Sequence, residues 1–126
     1  MSFVLLVPAH DAEPVELSQL SEGMTVYAWA RELLGDLVEV VRARGLHQLA
    51  PALEPVLLAD ENGHGKGLAL NRRAGELYGW DAIADDALIC QERRSAFSEG
   101  ELSGFTEAEA EHLRALIFRQ VGRGRG

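Results

Sequence analysis

The chain has 126 residues and a single cysteine, with 47% hydrophobic residues, 25% charged residues and a net charge of -8. That length suits one core and not two, and the composition is that of a folding chain rather than a disordered one. The acidic balance argues against a general nucleic-acid partner, which needs a cationic face, and one thiol excludes both an internal disulfide and a zinc site built on two or more cysteines.

Phe3–Val7 is an apolar run stopped by Pro8 and reads as a buried strand. It lacks the basic flank of a signal peptide, and no run approaches the roughly 18 apolar residues of a membrane span. A soluble, cytoplasmic protein with no membrane partner is the expectation. Asp11-Ala12-Glu13 reads as a turn and Pro14–Leu17 as a partner strand, so the chain starts with a hairpin. Val26, Trp29, Ala30 and Leu33 recur at helical spacing, which predicts a helix over 25–34, with Thr25 or Ser21 as cap and Gly35 as stop. The β-branched residues of Asp36–Arg42 predict a strand. Gly45–Glu54 reads as a connection in which Leu46, Leu49 and Leu53 form a short helical turn.

Val56–Ala59 is the next strand, running into Asn62-Gly63, a strong turn signal, and a loop of three glycines, Gly63, Gly65 and Gly67. Leu70–Tyr78 reads as a short helix with Asn71 as N-cap, Gly79 as its end, and Ala74, Leu77 and Tyr78 facing the core. Ala87–Gln91 is read as the last strand, and Ser95–Gly104 as polar and exposed. Thr106-Glu107-Ala108-Glu109 is a capping box before a final helix striped by Leu113, Leu116 and Ile117. Neighbouring strands mostly lack an intervening helix. The expected fold class is therefore α+β: a single domain over 1–121, mainly an antiparallel sheet with about three helices packed on one face, then a flexible Arg-Gly tail at 122–126.

Several runs resemble a known family. They are Glu32–Val41, Val56–Gly63, Lys66–Ala74, Ala87–Ile89 and Leu102–Glu107. Together they are similar to the bacterial and phage domain-of-unknown-function family 3846, whose members carry a "gGyiEvV" strand, an "nEeGklkgLpvNrrA" segment and a "GLt.eq" helix start. The resemblance covers residues 26–118 and is most specific over Glu61–Ala74. Gly35-Asp36-Leu37 and the longer Gly45–Glu54 insert depart from the pattern. The resemblance implies small proteins spread among phages, plasmids and their hosts. It implies no catalytic residues.

The segment with chemistry to offer is Gly63–Arg73. Glycine-rich backbone can turn N–H groups toward an anion, Lys66 adds charge, and a helix start bearing Asn71, Arg72 and Arg73 follows. It is not a phosphate loop of the G-x-x-x-x-G-K-[ST] kind, because Gly67 follows Lys66. The plainer alternative is a tight turn, a capped helix and two solvated arginines. Tyr78 and Trp80 flank Gly79 near these arginines, where an aromatic can stack a ring or simply pack the helix end. His10, His47, His64 and His112 show no metal spacing, so no metal or other cofactor is expected. Cys90 reads as a buried strand thiol.

The expectation is a small non-enzymatic module that binds an anionic small molecule or nucleotide through Lys66, Asn71, Arg72 and Arg73, with His64, Tyr78 and Trp80 nearby. On this reading Arg72 and Arg73 can be removed without cost in stability. The alternatives are an adaptor or inhibitor that meets a protein partner through a sheet edge or acidic surface, with a homodimer left open, and a nucleotide-acting enzyme.

Overall fold

A computed structural model describes residues 1–35, 37–62, 69–79, 83–95 and 98–122. Strand β1 (Phe3–Val7) turns back into β2 (Glu16–Gln19). Helix α1 (Val26–Leu34), β3 (Val38–Val41), α2 (Arg44–Leu49), a 3-10 turn (Pro51–Leu53) and β4 (Pro55–Asp60) follow. The second half holds α3 (Arg72–Tyr78), the hairpin β5 (Ala87–Ser95) and β6 (Ser98–Ser103), and α4 (Glu107–Ile117), which continues as a π turn over Phe118–Gly122. The strands form one six-stranded sheet in the order β2-β1-β5-β4-β3, with β6 also paired to β5. All these pairings are antiparallel. The α+β expectation holds, with α2 as a fourth helix that starts one residue before the Gly45–Glu54 insert and runs into it.

Period-two alternation sorts the strands into two faces. Leu5, Val7, Leu57, Ala59, Ala87 and Ile89 share one core cluster. Val4, Val56, Leu58, Leu88 and Cys90 share another. The register sets Leu5 beside Ile89 and Ile89 beside Leu57, so three fully buried side chains lie in a row across β1, β5 and β4. Leu46 of α2, Ala74 and Leu77 of α3, and Leu113 and Ile117 of α4 cover the first face. Val26, Ala30 and Leu34 of α1 cover the second. The helices therefore sit on both faces and not on one. The physical cause is that β4 is buried at every position from Pro55 to Asp60, which requires cover above and below.

The helix ends follow their sequence signals. Thr25 Oγ1 accepts from the Ala28 amide, and Gly35 closes α1 by donating to the Arg31 carbonyl. Thr106 and Glu109 form the reciprocal capping box of α4.

One expectation is corrected. Ala87–Gln91, read as the last strand, is followed by another: the polar segment Ser95–Gly104 contributes strand β6, paired as Gln91–Ser103, Glu92–Leu102 and Arg93–Glu101. Its sequence shows no apolar alternation because β6 pairs with the far half of β5 and supplies one apolar side chain, Leu102, to the second core. β6 takes over where β1 leaves off on the same side of β5. The junction is a bridge in which the Phe3 amide donates to the Phe105 carbonyl at 2.9 Å and the Phe105 amide to Phe3 at 2.7 Å.

Among the described residues no helix is long and apolar enough to cross a membrane. The glycine loop at 63–68 and the tail at 123–126 lie outside the described residues, while Gly122 belongs to the π turn.

Two predictions follow from packing. Gly45 lets α2 approach α3 so closely that a Cβ there would stand 2.6 Å from the Leu77 carbonyl oxygen. Backbone must shift to admit it, so Gly45→Ala is expected to destabilise by about 1–3 kcal/mol, read as a lower urea midpoint, despite alanine's better helix propensity. The second concerns Cys90. Burial, with help from the Glu92 carboxylate, pushes its thiol from the ordinary 9.0 up to about 12. Above pH 9.0 the unfolded chain releases this proton while the folded chain keeps it, so stability falls as pH rises toward about 12. Urea unfolding at pH 8 and pH 10 is expected to show a steeper loss in the wild type than in Cys90→Ala.

Candidate functional site

The start of α3 is built around a buried amide. Asn71 is 1% exposed. Its Oδ1 accepts from the Ala74 amide at 3.0 Å, capping the helix, while Nδ2 donates to the Val7 carbonyl at 2.8 Å and the Asp85 carbonyl at 3.0 Å. Both donors of the side-chain amide are thereby used. The flanking backbone bridges to 83–85: the Asn71 amide donates to Ile83 and the Asp85 amide to Ala69. Helix α3, the end of β1 and the approach to β5 are locked together.

Arg73 extends the lock. It is 7% exposed, and its Nη2 donates to the carbonyls of Pro8 at 2.9 Å and His10 at 3.1 Å. Nearby, the Ala9 amide donates to Asp86 Oδ1 at 2.8 Å. The segment 8–11 is thus held from two sides. Burial lowers the pKa of Arg73, against the attraction of Asp11. Its Nε is buried without a hydrogen-bond partner and stands 4.0 Å from Asp11 Oδ1.

Arg72, one step along the helix, turns outward. Its Nε donates to Asp11 Oδ2 at 2.8 Å and its Nη1 to Glu76 Oε1 at 2.6 Å. The Asp11 hydrogen bond is the main reason its pKa is raised. Both arginines remain cations at any physiological pH.

Arg72, Arg73 and Asp11 line a groove of about 620 Å³. The end of α4 and its π turn also line the groove. Pro14, Val15, Ala115, Phe118 and Val121 give it an apolar lining. Arg114 and Arg119 come from the α4 side, and Asp11 and Glu111 also line it. Arg114 pairs with Glu111 at 2.6 Å, one turn back. The volume falls within the roughly 300–1,000 Å³ typical of small-molecule sites. An arginine surplus over two carboxylates, on apolar walls, equips the groove to hold an anion with an apolar body.

The structure thus brings Asn71, Arg72 and Arg73 together, and Arg72 and Arg73 line the groove. Asn71 and Arg73 face inward and serve the fold. Tyr78 lies at the far end of α3, half-buried against the first core cluster. His64, Lys66 and Trp80 lie outside the described residues. Asp11 was read only as a turn residue, and Arg114, Phe118 and Arg119 escaped the sequence reading. No local signal joins residues 11–15 to α4. A hint was available in α4 itself, where Arg114, Phe118 and Arg119 cluster at the end of an otherwise acidic helix.

The expectation that both arginines can be removed without cost is corrected at Arg73. Arg73→Ala leaves two backbone carbonyls without their charged donor and is expected to cost about 3 kcal/mol. Arg72 makes surface pairs worth about 0–1 kcal/mol, so Arg72→Ala is expected to unfold near the wild-type urea concentration.

No family model matches the sequence, and no curated protein does. Among solved structures, the chain is similar to the crystal structure of small RNA methyltransferase HEN1, at 20% identity and a TM-score of 0.62. The match covers 89% of this chain and 16% of that one. At this identity the likeness is one of fold.

Proposed function

We propose that this chain is a small non-enzymatic binding module, and that the groove between residues 11–15 and α4 takes a small organic anion with an apolar body. The observation that carries the reading is the concentration of charge: four arginines line one groove of a chain whose net charge is -8. Such placement is not what a uniformly acidic surface produces. Arg119 is exposed and has no hydrogen bond or ion pair among the described residues, so its guanidinium meets a ligand without giving up an existing partner. Arg72 and Arg114 hold carboxylates in surface pairs, which exchange at little cost. Pro14, Val15 and Phe118 offer the ligand's body an apolar surface.

The titratable groups of this lining are arginines and the carboxylates Asp11 and Glu111. Arginine binds and orients anions but does not give up a proton near neutral pH, which suits recognition better than acid–base turnover. The resemblance to family 3846, with its phage, plasmid and host setting, stands beside this reading as a proposal of its own and supplies no residue to it. A cytoplasmic setting is proposed likewise; a single buried cysteine, Cys90, fits a reducing compartment.

Calorimetry and thermal unfolding with phenyl phosphate and benzoate, at fixed ionic strength, test the groove. Saturable binding with a rise in melting temperature is expected. Ala115 is exposed on the groove wall, so Ala115→Glu adds bulk and negative charge without disturbing the core. It is expected to weaken binding by at least about tenfold, and Arg119→Ala by about threefold to tenfold. Binding that survives Ala115→Glu unchanged would place the ligand elsewhere.

A further inference from the structure

Among the described residues, Asp11 is the one carboxylate paired within 4.0 Å of both arginines of α3. Its Oδ2 lies 2.8 Å from Arg72 Nε and its Oδ1 4.0 Å from Arg73 Nε. The second distance is too long for a hydrogen bond. Arg73 Nε is buried and has no other hydrogen-bond partner, an uncommon arrangement for a charged donor. Two guanidinium groups therefore converge on one oxyanion position, and the carboxylate that holds it satisfies only one of them.

The reason is tethering. The backbone before Asp11 is pinned, because Arg73 holds the carbonyls of Pro8 and His10 and Asp86 holds the Ala9 amide. A short aspartate side chain on a fixed backbone cannot centre itself between two forks. A free oxyanion carries no such constraint. A phosphate monoester presents three terminal oxygens in a tetrahedral array, against two coplanar oxygens in a carboxylate, and can reach two guanidiniums that are not coplanar.

Resting on the binding reading above, we propose that Arg72 and Arg73 form the oxyanion seat of the groove, that Asp11 holds this seat as a built-in competitor, and that the ligand is a phosphate monoester with an apolar body that displaces it. The Asp11 side chain is 36% exposed and that of Arg72 30% exposed, so their pair is of the surface kind that exchanges readily. Segment 12–15 continues from Asp11 into the apolar lining at Pro14 and Val15, so displacement of Asp11 is felt where the ligand's body lies. Asp11 also lowers the apparent affinity, since the seat must be vacated before it is filled.

The experiment is calorimetric titration of wild type, Asp11→Asn and Asp11→Ala with phenyl phosphate and, separately, benzoate, after checking that each variant keeps the cooperative thermal unfolding of the wild type. Both variants are expected to bind phenyl phosphate about tenfold more tightly than wild type, and phenyl phosphate is expected to outbind benzoate. Wild-type binding that Ala115→Glu abolishes but that both Asp11 variants leave equal or weaker would overturn the seat while the groove reading stands. Benzoate binding as tightly as phenyl phosphate to the Asp11 variants would overturn the phosphate assignment. No saturable binding by any of the three proteins would overturn groove and seat together.

Discussion

The groove exists because a buried amide holds three stretches of chain at one point. Asn71 joins residues 64 positions apart through its bond to Val7, and residues 14 apart through its bond to Asp85. An unpaired amide in this setting is expensive, so the three segments are ordered together or not at all. Arg73 then fixes the loop that leaves β1, by a cation donating to two backbone carbonyls. Because that loop is fixed, Asp11, Pro14 and Val15 line one groove with the end of α4. The groove is thus an outcome of polar satisfaction in the core rather than of anything local to residues 11–15.

A net charge of -8 repels anions at long range, yet the groove is read as an anion site. Distance decides between the two effects. At physiological salt the screening length is about 8 Å, so carboxylates on remote faces of the sheet contribute little inside the groove. The contest is local, between the arginines and the carboxylates beside them. Among these, Asp11 and Glu76 pair with Arg72 and Glu111 with Arg114. The field a ligand meets is that of a guarded cationic site, and its strength depends on how easily those pairs exchange.

Much of the fold was legible in the sequence for identifiable reasons. The apolar runs of β1, β4 and β5, the capping box at Thr106 and the Asn71 cap are all local signals, and each appears where expected. What failed depended on distant partners. β6 carries almost no apolar pattern and is recognisable only once β5 is seen to extend past β1. Cover on both faces was implied by the unbroken apolar run Val56–Ala59 but becomes definite only when α1 is seen to pack opposite α2, α3 and α4. At the site, Asn71-Arg72-Arg73 was marked as a concentration of polar chemistry, and Arg72 and Arg73 line the groove. Whether each arginine faced water or core was not legible, because the carbonyls that draw Arg73 inward belong to residues some 63 to 65 positions earlier.

That division between neighbours has a geometric origin. Successive residues on an α-helix point about 100° apart, since there are about 3.6 per turn. That step leaves Arg72 turned outward, while the carbonyls of Pro8 and His10 draw Arg73 inward. One becomes a structural tie and the other a surface cation, and the aspartate between them is shared. The tie cannot be altered without moving the loop that carries the aspartate, and the aspartate cannot move without changing what the surface cation offers. Fold and the proposed recognition therefore meet at one dipeptide, and a change at Arg73 must be read as a change in shape before it is read as a change in charge.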